Sequence, residues 1–192
     1  MNTSERLRKV QKSVPICTYQ IDTGFRRIEQ FLEDYEVNMD PVYQRDYVWN
    51  LKQKQKFVGA CLENHRMIPV FWFNFYKVGQ GTNSPCEVVD GKQRLEAIRG
   101  FLRNEYSAIC PCGEVFTAEE LLNDPISNRN LSSSITLKMH FIQVEPVDAM
   151  QFYLRLNAGG TIHSQEDLDR VKEYIIQERA KVVTGSGANT GK

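Results

Sequence analysis

The stretch Val88-Val89-Asp90-Gly91-Lys92-Gln93-Arg94-Leu95-Glu96-Ala97-Ile98 changes its period in the middle. An apolar, β-branched run stops at Asp90. A helical pattern then begins, with Leu95, Ile98 and Leu102 at i, i+3 and i+7 and with Ala97 and Phe101 beside them. The reading is a strand over Glu87–Asp90, an Asp-Gly turn and a helix over Gly91–Asn104. A strand that turns directly into a helix aims backbone N–H groups at a space where an anion can sit. This helix start also carries an acid, a Lys, a Gln and an Arg. A second explanation stands beside the anion site. Asp90 and Gln93 have the D-x-x-Q spacing of a capping box, in which Asp accepts from the N3 amide and Gln reaches back to the N-cap. Capping needs neither Lys92 nor Arg94.

Working outward, Thr18–Asp22 alternates as a short strand, and Gly24–Tyr35 puts Phe25, Ile28, Phe31, Leu32 and Tyr35 on one helical face. Pro41–Trp49 reads as an aromatic extended stretch. Asn50 then caps a helix to about Asn64, with Phe57, Cys61 and Leu62 inward and Lys52, Lys54 and Lys56 outward. Pro69 leads into a strand over Val70–Lys77, and the turn-rich 79–85 link joins it to Glu87–Asp90. Thr117 caps a short helix that Asp124-Pro125 breaks. Ser134–Val144 alternates through Ile135, Leu137, Met139 and Phe141 as a strand with one buried face. Pro146 opens a helix to Leu156 that Asn157-Ala158-Gly159-Gly160 ends, and Ser164 caps the last helix. Strands and helices alternate irregularly, so the fold class is α+β: a single-domain mixed sheet with packed helices. The expected boundaries are a flexible basic arm over 1–14, the domain over 15–180 and a disordered tail over 181–192.

The chain has 192 residues, of which 41% are hydrophobic and 25% charged, enough for one ordinary globular core without metals or disulfides. A formal net charge of zero argues against a protein that coats nucleic acid by bulk charge. No apolar run reaches the ~18 residues of a membrane span. Five cysteines, an odd number with no secretory segment before them, fit a reduced, cytoplasmic protein. Cys110-Pro111-Cys112 has one residue between its thiols instead of the two to four of zinc knuckles.

Period two places Tyr43, Arg45 and Tyr47 on one face of the extended stretch. There Arg45 can fork two bonds to a phosphate while the tyrosines stack on a base, or it can lie over aromatic core edges. Asp90 can hold a divalent metal such as Mg²⁺ or orient a water, and Lys92 and Arg94 can offset phosphate charge. Asn157 to Gly160 is complete as a helix cap, although its two glycines also let amides close on an anion. Lys52, Lys54 and Lys56 make a solvated face that can meet DNA phosphates in a salt-sensitive way.

Four separated segments resemble, in order, the amino-terminal domain of GmrSD-type modification-dependent restriction systems, within the ParB/sulfiredoxin-like fold. They are Tyr43-Gln44-Arg45-Asp46-Tyr47-Val48-Trp49, Ile68-Pro69-Val70, Val89-Asp90-Gly91-Lys92-Gln93-Arg94-Leu95, and Phe152 to Gly160 before the Ser164–Leu168 helix start. Asp-Gly-Gln-Gln-Arg is the usual central motif, so Lys92 departs from it. The resemblance implies a pocket that binds and slowly hydrolyses a nucleoside triphosphate, with Mg²⁺, in phage–bacterium conflict. Asp90, Gln93 and Arg94 become the candidate catalytic residues. Tyr43, Arg45, Gly91, Lys92, Asn157, Gly159 and Gly160 become the candidate nucleotide contacts. In full-length systems of this type a separate HNH-type nuclease domain cuts. None is expected after residue 180, and His65, His140 and His163 lack a nuclease spacing, so cleavage by this chain alone is not expected. The alternatives are a DNA-binding or modified-DNA-sensing module, and a non-enzymatic protein that pairs with a nuclease or host subunit.

Overall fold

The computed structural model describes residues 2–6, 18–64, 66, 68–75, 86–157 and 165–185. Strands β1 (Tyr19–Gly24), β2 (Val37–Asn38), β3 (Phe71–Phe75), β4 (Cys86–Asp90) and β7 (Thr136–Ile142) form a five-stranded sheet in the order β1-β7-β3-β4-β2. The sheet is mixed: β1/β7 and β3/β4 are antiparallel, while β3/β7 and β2/β4 are parallel. Strands β5 (Ala108–Ile109) and β6 (Val115–Phe116) make a separate hairpin. The helices are α1 (Ile28–Asp34), α2 (Leu51–Glu63), α3 (Lys92–Leu102), α4 (Ala118–Asn123), α5 (Pro125–Arg129), α6 (Pro146–Asn157) and α7 (Gln165–Gly185). The α+β expectation holds. Among the described residues no helix is long and apolar enough to cross a membrane.

Each face of the sheet buries its own core. On one face Phe31, Phe73, Val88, Leu95 and Phe141 pack with α1, α2 and α3. On the other, Tyr43, Val89 and Ile142 pack with Met150, Phe152 and Tyr153 of α6 and Val171 and Ile175 of α7. Strand β4 is covered on both faces, which is why its apolar residues run without alternation. Asn74 interrupts the apolar β3 yet is fully buried. Its amide donates to the Val144 C=O at 3.1 Å and accepts from the Val144 N–H at 3.0 Å, so both ends are satisfied.

Several expected caps form. Asn50 accepts from Gln53 N–H while Gln53 reaches back, and Thr117 and Glu120 do the same for α4. Asp124-Pro125, expected only to break α4, also starts α5: Asp124 accepts from Ser127 N–H with Pro125 in the first turn. Three expectations change. The Asp90–Gln93 capping box is not made: Gly91 takes the N-cap of α3 in a left-handed conformation and no side chain caps it. Pro41–Trp49 is not a regular extended segment, because Gln44 N–H closes a turn onto the Pro41 C=O at 2.8 Å. Tyr43, Arg45 and Tyr47 therefore do not share a face. Helix α7 continues to Gly185, past the boundary expected at 180. The 79–85 link, Gly159, Gly160, His163 and Ser164 lie outside the described residues.

Candidate functional site

Strand β4 ends at Asp90, and the chain turns into α3 through Gly91 at φ 111°. A Cβ there would meet the Phe71 ring at 2.5 Å and would sit in a conformation that L side chains resist, so this corner requires glycine. Among the described residues no side chain caps the first-turn amides of α3, at Lys92, Gln93 and Arg94. They border a cleft of about 160 Å³ walled by Gln44, Arg45, Trp49, Tyr153 and Asn157. That is smaller than the roughly 300–1,000 Å³ of pockets that enclose a whole small molecule, and it suits one end of a ligand.

The motif side chains themselves are turned onto protein. Arg94 donates to Asp90 at 2.6 Å, to the Pro69 C=O at 2.7 Å and to the Val70 C=O at 3.2 Å, and its guanidinium lies 4.7 Å from the centre of the Phe71 ring. Burial pulls the Arg94 pKa down and the Asp90 carboxylate opposes the fall. Arg94 thus staples the 68–70 segment to the start of α3. Lys92 is almost buried: its ammonium bonds Asp40 at 2.5 Å and the Arg45 C=O at 3.0 Å. The Gln93 amide accepts from the N–H groups of Val48 (2.9 Å) and Trp49 (3.2 Å) and donates to the Asp46 C=O at 3.0 Å. Lys92 and Gln93 together clamp residues 40–49 against α3.

That clamp sets what reaches the cleft. Arg45 lines it, with its backbone fixed by Lys92. Tyr43 is 1% exposed, its ring 5.4 Å from that of Tyr153 and its hydroxyl donating to Glu87 at 2.6 Å, so it builds the wall from behind. Tyr47 lies on the far side under Lys54, which sits 4.6 Å from its ring centre. Burial raises the pKa of its phenol. Asn157 lines the cleft while donating back to the Tyr153 C=O at 2.8 Å. Lys52 and Lys56 are exposed on α2, away from this arrangement.

Trp49 and Tyr153 wall the cleft without having been assigned to it in the sequence, and two further residues that hold the site together were also missed. Gln44 fastens the 40–49 segment to the sheet by donating to the Val89 C=O at 2.7 Å, and Asp40 is the partner of Lys92. Both stand beside residues that were singled out, but nothing local marks their partners, which lie 45 and 52 positions away.

The residues do not fit a protein-held metal ion. Asp90 is the one carboxylate among the described residues that line the cleft, and Arg94 already pairs with it. Among the described residues no group of three or more His, Cys, Asp or Glu could hold a metal. A Mg²⁺ ion at this cleft would have to arrive on phosphate oxygens.

The sequence model of one family, described as GmrSD restriction endonuclease, N-terminal domain, matches residues 28–175. No curated protein and no solved structure matches the chain.

Proposed function

The chain belongs to the GmrSD N-terminal domain family, which ties its function to restriction systems, and on that premise we propose that the cleft at the start of α3 binds the phosphates of a nucleoside triphosphate. The observation that carries this reading is the helix start itself: an uncapped first turn behind a left-handed glycine, open to a cleft that Arg45 borders. Helix amides and a guanidinium are the donors that a polyphosphate needs. The cleft takes the phosphate end, with Mg²⁺ carried by the nucleotide, and the sugar and base extend beyond it. Turnover is slow, because the carboxylate that could orient a water, Asp90, is held by Arg94 at 2.6 Å. In this role the domain is the nucleotide-responsive half of a modification-dependent restriction system, paired with a nuclease domain or subunit.

The test is calorimetric titration of the protein with the four ribonucleoside triphosphates and Mg²⁺, with phosphate release followed in parallel. At least one should bind, and Arg45→Ala should weaken it about tenfold, near the 1.5 kcal/mol of a charge-assisted hydrogen bond. No heat and no phosphate release with any nucleotide would remove the proposal.

A further inference from the structure

We infer that the outer edge of β1 is a docking groove for an extended, acidic segment of a partner protein. Strand β1 ends the sheet order, with β7 on one side. The Phe25 N–H donates to the Ile135 C=O at 2.8 Å, which continues the antiparallel register Ile21↔Met139 and Thr23↔Leu137. That bond sets the phase of the ladder. Between Tyr19 and Phe25 this makes the odd-numbered residues the ones that bond β7, so the N–H and C=O groups of Gln20 and Asp22 point away from it; just before β1 the phase slips, with Thr18 N–H donating to the Phe141 C=O at 2.6 Å. Among the described residues β7 is the one strand placed beside β1, so no strand lies on this side of it.

A groove of about 920 Å³ runs beside these groups. It touches Ile21 and Thr23, which turn to the core face, and also Asp22, exposed on the opposite face. A space along the strand's outer edge reaches both, and past Gly24 it also meets Thr136 of β7. Gln30, Asp34 and Tyr35 form the facing wall, and Ser132 closes the end beside Gly24. Backbone donors and acceptors spaced along a strand edge are matched by another extended backbone, and a helix wall alongside gives its side chains somewhere to pack.

Charge selects the occupant. Arg26 and Arg27 are exposed where β1 passes into α1. Arg26 donates to the neutral Asn128 side chain at 2.5 Å, and neither arginine pairs with a carboxylate among the described residues. Asp34 lies at the other end of α1, about 10 Å away at 1.5 Å per residue. An extended segment of three or four residues spans that distance. Its acidic end belongs beside Arg26 and Arg27, and the rest of it, which runs past Asp22 and Asp34, carries no acid.

The test uses an eight-residue synthetic peptide of alternating threonine and valine with two glutamates at one end, and a control with lysines in their place. Amide exchange is followed by NMR. In the free protein the Gln20 and Asp22 amides should exchange rapidly while those of Ile21 and Thr23 are protected. The glutamate peptide should protect Gln20 and Asp22 at least tenfold and bind at least tenfold more tightly than the lysine peptide. Reversing both charges, Arg26→Glu with Arg27→Glu, should invert that preference. Asp22→Pro removes an outward N–H that the β7 ladder does not use, so it should abolish binding with little change in melting. Protection of Gln20 and Asp22 in the free protein, equal binding of the two peptides, or no binding would each overturn the inference. Protection that rises with protein concentration alone would also overturn it, by making the occupant a second copy of this chain.

Discussion

Arg94 and Arg45 carry the same charge close together and do different work. The Arg94 guanidinium meets one carboxylate, two backbone carbonyls and an aromatic face, all from this chain. Removing it strands the Asp90 carboxylate and frees the 68–70 segment, so Arg94→Ala should lower unfolding free energy by about 2–3 kcal/mol. That lies below the 3–5 kcal/mol of a fully buried pair, because Asp90 is 31% exposed. Urea denaturation measures this, and an unchanged midpoint would mean that the staple contributes nothing. Arg94→Lys should recover little, since an ammonium cannot reach all these acceptors at once. Arg45, which borders the cleft, is tested instead by affinity: Arg45→Ala should weaken nucleotide binding about tenfold. Asp90→Asn, which leaves the first turn of α3 no worse capped than before, should still destabilise by about 1–2 kcal/mol through its weaker bond to Arg94. A midpoint identical to the parent protein in that variant would contradict the ion pair.

At the scale of elements, what could be read from sequence was what short-range geometry decides. The caps at Asn50 and Thr117 need only neighbours three residues away, and both formed; Asp124, read only as a breaker, caps α5 by the same spacing. The apolar periods of α1, β7 and α3 likewise faced their cores. Asp90 with Gln93 matched the same spacing and made no cap, because Gly91 turned the chain first, Arg94 four residues on took the Asp90 carboxylate, and distant partners drew the Gln93 side chain away. Nothing within three residues of Gln93 tells that it will hold Asp46, Val48 and Trp49. The cleft was therefore legible as a location and not as a set of contacts. The caps also give a pH prediction. Hydrogen bonds from Thr117 and from Ser127 hold Glu120 and Asp124 below the usual carboxylate range. A depressed folded pKa means the contribution is complete above the unfolded value and is lost as pH falls through the folded one. Carbon-13 shifts of both carboxyls should titrate below their ordinary values. Titration at ordinary values would mean that the caps are open in solution.

At the scale of the whole molecule, the cleft sits where the two cores meet. Strand β4 gives Val88 to one core and Val89 to the other, and it ends at Asp90 and Gly91. The walls come from both sides: Trp49 packs on Phe57 next to the first core, while Tyr153 belongs to the second. A ligand in the cleft holds segments that only the complete fold brings together, so it binds the native state and has no purchase on the unfolded chain. At a nucleotide concentration of 100 times its Kd, stability should rise by about 2.7 kcal/mol. For a chain of this length that is a melting increase of about 5–10 °C. Arg45→Ala, with affinity tenfold weaker, sits at ten times its Kd under the same conditions and should keep only about half of that increase. The two tryptophans report separately, Trp49 from the cleft wall and Trp72 from the second core against Phe152. Melting curves recorded by Trp→Phe variants at each position should therefore shift together when nucleotide is added. A shift seen through Trp49 alone would mean that ligand steadies the 40–49 segment without engaging the fold, and the linkage between cleft and cores would be lost.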